Sequence, residues 1–265
     1  MEAMMTTIAT LPRQPEMLHW RPIPISRTTN EKNRLLAALR GDEYWRLAPH
    51  FEVVKLEARQ VLASPEQPMR HVFFPRNGVS AMLVPMEDGS AAEGATVGNE
   101  GMIGLPVFLG EPTTSEEIVQ AIPGEAVRLR ASIFKEAVQR SPHFQTVLQR
   151  YTLALMNQMV RTAGCNRVHA VDQRCARLLL MSCDRVGSDA FPVTHEFLAT
   201  VLSVRRAALT EAAGMLQHAG LIEYRRGQMR ICDRDGLEEV ACEDYRLARE
   251  GYDRLYDGHP PQFAA

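Results

Sequence analysis

The sequence predicts an α+β fold in three successive parts, and three observations carry that prediction. Short apolar and β-branched runs, separated by turn dipeptides, fill residues 51–129. A long helical pattern follows from Ile133 to His169, broken near Ser141-Pro142. Two short amphipathic helices and a small hairpin then occupy residues 194–232. The period of the apolar residues changes from about two to about 3.6 between the first part and the others, as the change from strand to helix requires.

Residues 1–30 carry Pro12, Pro15, Pro22 and Pro24 among threonines and arginines and read as a flexible arm. Trp20 is expected to pack on the domain that follows. Thr29 or Asn30 is placed to cap a helix carrying Leu35, Leu36 and Leu39, with a second short helix near Glu43–Leu47. The strands are expected at Phe51–Leu56, His71–Phe74, Val79–Val84, Gly94–Val97, Ile118–Ile122 and Glu125–Leu129, with turns at Asn77-Gly78, Asp88-Gly89 and Pro123-Gly124. Many short strands at regular spacing argue for a β-barrel or sandwich rather than a parallel sheet. The stretch Gly98–Gly104 lacks the Gly-Lys-Ser/Thr of a phosphate loop and the βαβ setting of a dinucleotide fingerprint. Its glycines read as tight turns in a barrel wall, with a ligand cradle as the other reading.

In the long helix, Phe144, Leu148, Tyr151, Leu155, Met159 and Thr162 step by 4, 3, 4, 4 and 3. This approximates the seam of a two-stranded contact and predicts a homodimer interface; packing on the chain's own barrel is the alternative. Val171–Val186 follows as a helix with Ala176, Leu179, Leu180 and Cys183 on one face. Thr194 is a good N-cap for the next helix, whose apolar face is Phe197, Leu198, Val201 and Leu202. After a turn at Ser203-Val204, Ala208, Leu209, Ala212 and Leu216 form the buried stripe of a second helix and leave Arg205, Arg206, Thr210 and Gln217 toward solvent. Gly220 stands where a helix C′ residue needs positive φ. Leu221–Tyr224 and Met229–Cys232 flank Arg225-Arg226-Gly227-Gln228, a hairpin with two cations at its tip. Two helices, a tight turn and a basic hairpin describe a winged helix-turn-helix. An acidic helix, Gly236–Leu255, and a loose tail complete the chain.

Composition narrows the function classes. The chain has 265 residues, 45% hydrophobic and 23% charged, as in globular proteins with room for two cores. It has no apolar run of membrane-spanning length and no signal-like start in MEAMMTTIATLPRQPE, so a cytoplasmic protein with no membrane partner is expected. Net charge is −2, yet residues 161–232 hold 10 Arg against 6 acids, while residues 233–257 hold 4 Arg against 9. A basic segment in a near-neutral chain suits a site-specific binder of double-stranded DNA. The five cysteines, Cys165, Cys175, Cys183, Cys232 and Cys242, form no close pairs, which argues against a disulfide framework. Cys165 and His169, at i and i+4, could share a helix face as metal ligands. Two such residues on one helix are ordinary, so no metal site is expected. No nucleophile–base pair, metal cluster or phosphate loop suggests an enzyme.

The stretches HVFFPRNGVSAML and FLATVLSVRRAALTEAAGMLQHAGLIEYRRGQMRI, in this order of parts, resemble the Crp/Fnr family of bacterial transcription regulators. The resemblance spans roughly residues 31–240. It implies a cyclic-nucleotide-binding-type β-roll as sensor (31–138), a dimerisation helix (139–169) and a winged helix-turn-helix DNA-binding domain (170–240), between the arm 1–30 and an acidic segment 241–265. It also implies RNA polymerase as a partner. By position, the family's base-contacting residues fall on Arg206, Ala207 and Glu211, with Arg205 beside them. Arg206 keeps the chemistry for reading guanine O6 and N7, whereas Ala207 offers no hydrogen bond. Thr194, Ser203, Thr210, Arg225 and Arg226 complete the expected DNA-binding set.

The implied effector pocket, at Gly101, Gly104, Leu105, Ser115 and Glu116, departs from the family pattern. Leu105 stands where cyclic-AMP-binding members have Glu, and Ser115-Glu116 where they have Arg-Ser. A cyclic phosphate beside Glu116 or Glu117 would lack its countercharge, which disfavours cyclic AMP. An iron–sulfur cluster of the Fnr type needs N-terminal cysteines, and none precedes Cys165. No cofactor is therefore expected, although haem stays open with His71 as a candidate axial ligand. A module that senses a small molecule and signals through protein contacts is the alternative to a DNA-binding regulator.

Overall fold

The computed structural model describes residues 32–87 and 91–256. The arm 1–30 with Trp20, the Asp88-Gly89 turn and the tail beyond 256 lie outside the described residues. The helix carrying Leu35 and Leu36 is α1 (Arg34–Ala37), and its cap is Asn33 rather than Thr29 or Asn30. The Asn33 side chain accepts from Leu36 N at 3.0 Å and donates to the Pro75 and Gly101 carbonyls, both at 2.8 Å. One buried amide thus satisfies a helix end and docks that helix on the strands. A second helix, α2 (Gly41–Leu47), follows.

The strand region is β1 (Glu52–Leu56), β2 (Val61–Ala63), β3 (His71–Pro75), β4 (Val79–Pro85), β5 (Ala91–Val97), the short helix α3 (Leu105–Leu109), β6 (Glu117–Ile122) and β7 (Gly124–Arg130). Pairing is antiparallel throughout, in two sheets of order β1-β7-β3 and β2-β6-β4-β5. The Asn77-Gly78 and Pro123-Gly124 turns carry the chain from one sheet to the other, and Asn77 Oδ1 accepts from Glu125 N at 2.7 Å. These crossings make the sheets a roll. Its core includes Val72, Phe74, Val97, Ile103, Ile118 and Val127.

Helix α4 (Ala131–Arg140) ends at Ser141, whose hydroxyl accepts from Phe144 N at 2.9 Å and so caps the 27-residue helix α5 (Pro142–Val168). Pro142 at the first helical position makes the predicted break a fresh start. Among the described residues no helix is long and apolar enough to cross a membrane.

The predicted dimer seam is corrected here. Phe144, Leu148, Tyr151, Leu155 and Thr162 are buried within their own chain, and Met159 is the one member left substantially exposed. Phe144 stacks edge-on against Phe134, with ring centroids 5.7 Å apart, and Phe134 packs in turn on Phe74. The stripe is the amphipathic face with which α5 covers its own roll. A different stripe faces outward: Leu153, Met156, Val160 and Val168 are 57–72% exposed. Gly164 lies among them with open space where a side chain would be.

Helix α6 (Val171–Val186) opens the last domain, followed by β8 (Ala190–Pro192), α7 (His195–Val201), α8 (Arg206–His218), β9 (Ile222–Arg225) and β10 (Gln228–Ile231). The expected acidic helix is two helices, α9 (Arg234–Val240) and α10 (Asp244–Tyr256). The break falls at Ala241, which is extended, and Cys242, which turns inward and is buried. The break lets α10 fold back on α5, where the Tyr252 hydroxyl donates to Gln158 Oε1 at 2.9 Å and Arg34 pairs with Asp253 at 2.8 Å.

One buried ion pair joins the last domain to the roll. Arg185, near the end of α6, reaches Glu100 through two bonds, Nη2–Oε1 at 2.7 Å and Nε–Oε2 at 3.2 Å. It also donates to Thr96 Oγ1 at 2.6 Å and to the Thr96 carbonyl at 3.1 Å. Gln158 of α5 donates to the same carbonyl at 3.0 Å. Both charged side chains are almost wholly buried. A Cβ at Gly98 would lie 2.3 Å from Arg185 Cγ, and one at Gly101 would lie 2.4 Å from the Tyr151 hydroxyl. The glycines of this stretch therefore accommodate the protein's own Arg185 and Tyr151. Glu100→Ala leaves the guanidinium buried without its countercharge, and the folded state should lose about 3–5 kcal/mol in urea unfolding. The double substitution Glu100→Leu with Arg185→Met should recover most of that loss.

Candidate nucleic-acid interface

The helix-turn-helix is built by caps and one strained turn. Thr194 Oγ1 accepts from Phe197 N at 3.1 Å and starts α7. Leu198, Val201 and Leu202 are buried as expected, and Phe197 is half-buried. Ser203, at φ +52°, supplies the left-handed residue that reverses the chain, and Val204 N closes the turn on the Ala199 carbonyl at 3.0 Å. Arg174 of α6 donates to the Leu202 carbonyl, satisfying an acceptor that the end of α7 leaves without an intrahelical partner. Sequence reading missed this contact, because nothing in the spacing of Arg174 distinguishes it from a surface arginine.

Arg205 is the N-cap of α8, and its side chain makes no cap bond to the first backbone N–H groups of that helix among the described residues. Leu209, Ala212, Ala213 and Leu216 form the buried face, with Ala213 taking the role expected of Ala208, which is only half-buried. Arg205, Arg206, Ala207, Thr210 and Glu211 are all exposed. The Thr210 hydroxyl donates to the Arg206 carbonyl at 2.9 Å. Gln217 is exposed as expected, yet its Oε1 accepts from Tyr224 N at 2.9 Å and ties the helix to the hairpin.

The hairpin forms as expected, with Gln228 opposite Arg225 and Arg226-Gly227 at the tip. Arg226 and Gly227 have φ of +50° and +78°, the pair of positive values that a type I′ turn requires and that glycine supplies without strain. β8 adds a third strand, giving the order β8-β10-β9. Arg225 and Arg226 are exposed. His195 stacks on Tyr224 of the hairpin at 4.1 Å between ring centroids. Burial, and then the nearby Arg206 charge, lower its pKa, so it is neutral at pH 7. Among the described residues, none of Arg205, Arg206, Arg225 or Arg226 forms an ion pair. Helix α8 and the hairpin thus present four exposed cations.

The effector set sits elsewhere and is divided. Gly101 lies under Tyr151, and Gly104 packs beside Val72, where a Cβ would come within 2.8 Å. Leu105 is the first residue of α3. Ser115 and Glu116 lie before β6; the Ser115 and Thr114 hydroxyls both donate to the Glu116 carboxylate, the first at 3.0 Å. Gly101, Gly104, Ser115 and Glu116 each meet a neighbour within the chain. His71 stands opposite Arg130 on the β3–β7 ladder. Burial and the charge of Arg128 hold its pKa down, with Arg130 and Arg70 adding to the effect.

Comparison with known proteins agrees with this geometry. Residues 173–240 match the family model described as a Crp-like helix-turn-helix domain. No curated protein matches the chain. Among solved structures, FixK2 from Bradyrhizobium japonicum is similar with a TM-score of 0.60 at 13% identity, over 72% of this chain and 98% of that one. The c-di-GMP-responsive global regulator CLP from Xanthomonas campestris has a TM-score of 0.58 at 14% identity, over 72% and 99%. A CRP-family transcriptional regulator from Thermus thermophilus has 0.57 at 18%, over 71% and 95%. These identities speak to the fold. Residues 173–240 are therefore a Crp-like helix-turn-helix domain, and 71–72% of the chain shares its fold with these solved transcription regulators.

Proposed function

We propose that this protein is a cytoplasmic, sequence-specific DNA-binding transcription regulator of the Crp/Fnr type that acts as a homodimer on a two-fold operator. The carrying observation is the set of exposed, unpaired arginines on α8 and the wing of a Crp-like helix-turn-helix domain. Arg206 reads guanine O6 and N7 bidentately, with Ala207, Thr210 and Glu211 setting the neighbouring base preferences. Arg205, Ser203, the wing arginines and the α7 N-terminus at Thr194 contact phosphates and fix register. Contact with RNA polymerase follows from the family resemblance.

The dimer is formed by the outward stripe of α5: Leu153, Met156, Val160, Gly164 and Val168. Four large apolar side chains exposed along one face of a long helix are what a second helix covers, and half-sites one DNA turn apart need a two-fold protein. The roll orients the two winged helices. The local partners of Gly101, Gly104, Ser115 and Glu116, together with Leu105 at the ribose position, support an effector other than cyclic AMP, or none. We read His71, on the β3–β7 ladder opposite Arg130, as a sheet histidine rather than a haem ligand.

Fluorescence anisotropy with a genome-selected duplex and a random duplex tests the DNA reading. Arg206→Ala should cost about 1–3 kcal/mol on the selected duplex and little on the random one; equal losses on both would remove Arg206 from base reading. Substituting Arg225 and Arg226 by Ala should weaken both duplexes alike and flatten the slope of log K against log salt by roughly 1 per arginine. For assembly, Val160→Glu should give a folded monomer in sedimentation equilibrium. Leu148→Ala should instead lower stability by about 2–5 kcal/mol and leave the dimer intact.

A further inference from the structure

Four side chains that the DNA-binding reading does not use converge where α5 ends. Cys165 and His169 stand one turn apart on the last stretch of that helix. Cys242 and Asp244 come from the link between α9 and α10, brought in by the break in the acidic helix. One donor atom from each of the four lies within 4.8 Å of all the others. The Cys165 and Cys242 sulfurs are 3.5 Å apart, Cys242 Sγ is 4.0 Å from Asp244 Oδ2, and His169 Nδ1 is 3.6 Å from that same oxygen. With Zn–S bonds of about 2.3 Å and Zn–N or Zn–O bonds of about 2.0–2.1 Å, the edges of a tetrahedron come to roughly 3.3–3.8 Å. The three separations just given, 3.5, 4.0 and 3.6 Å, lie within a few tenths of an ångström of those edges.

The surroundings fit a metal as well as the donors do. His169 Nδ1 is buried and has no hydrogen-bond partner among the described residues, the condition of a nitrogen lacking the atom it is meant to meet. Its other nitrogen, Nε2, faces Glu243 at 3.3 Å. A carboxylate there fixes the tautomer that leaves Nδ1 free to ligate. Asp244 pairs through Oδ1 with Arg161 at 3.2 Å, which orients Oδ2 toward the sulfurs and offsets the excess negative charge of two thiolates and a carboxylate around a dication. Cys165, Cys242 and Asp244 are buried, so the donors are already gathered out of water.

We propose that Cys165, His169, Cys242 and Asp244 form a four-coordinate structural zinc(II) site. Binding displaces the two thiol protons to solvent and forms two Zn–S bonds, one Zn–N bond and one Zn–O bond, with no redox step. Two sulfurs, an imidazole and a carboxylate in tetrahedral reach select zinc among the common divalent ions. All four positions belong to the protein, so the site is a clamp rather than a reaction centre. It pins the C-terminal end of α5, immediately before the bend into α6, to the root of α10. The sensor's long helix, the DNA-binding domain and the C-terminal helix are thereby held at a single point.

The full-length protein, purified under reducing conditions, is assayed for zinc and titrated with cobalt(II) after chelation. About one zinc per chain is expected, together with a cobalt complex showing thiolate-to-metal charge transfer and intense tetrahedral d–d bands. Cys242→Ser should abolish both signals and Cys232→Ser should keep them. Chelation should lower Tm by at least roughly 5 °C, restored by zinc. Wild-type protein that takes up neither ion overturns the proposal without reference to any variant. So does metal retained when Cys165 and Cys242 are both Ser, or a Cys165–Cys242 disulfide that persists in reductant with zinc present.

Discussion

The buried pair of Arg185 and Glu100 is the constraint on which the rest of the arrangement depends. A guanidinium taken out of water is tolerated only where its donors are met. Here they are met by Glu100, by both oxygens of Thr96 and by Gln158. Those partners belong to β5, the glycine-containing loop after it and the long helix, while the arginine belongs to the first helix of the DNA-binding domain. Tyr252 of α10 reaches the same cluster through Gln158. The charge cannot be left behind in the roll uncompensated, so the orientation of the DNA-binding domain is tied to the conformation of residues 96–101.

This arrangement gives the glycine-rich stretch a different meaning from a ligand cradle. Gly98 and Gly101 are small because Arg185 and Tyr151 occupy the space that side chains would need. Tyr151 in turn donates to the Met102 carbonyl at 3.1 Å, so the long helix and the loop are bonded to each other as well as packed. Residues 96–101 and α5 both hold Arg185 directly.

The long helix serves two surfaces at once. Its Phe144–Leu155 face closes the roll, and its Leu153–Val168 face is presented outward. Both stripes are apolar and both have helical period. Spacing identifies an amphipathic face but not which neighbour covers it, which is why the first stripe reads equally well as a dimer seam or as a domain core. Three-dimensional burial separates the two, because each side chain has only one location.

Local chemistry was legible from the chain alone. The winged helix-turn-helix could be read from Thr194, Ser203-Val204, Gly220 and Arg226-Gly227, because caps, reversals and I′ turns depend on a residue's own φ and on hydrogen bonds a few positions away. The same holds for the Ser141-Pro142 break and for the strand run, whose turns lie between adjacent segments. Tertiary structure alone decided the rest. It paired Arg185 with Glu100 across 85 residues and sent Arg174 to the Leu202 carbonyl across 28. It split the acidic helix at Ala241 so that Cys242 and Asp244 meet Cys165 and His169. Such encounters depend on how separate elements pack, and a side chain's partner in sequence carries no mark of its partner in space.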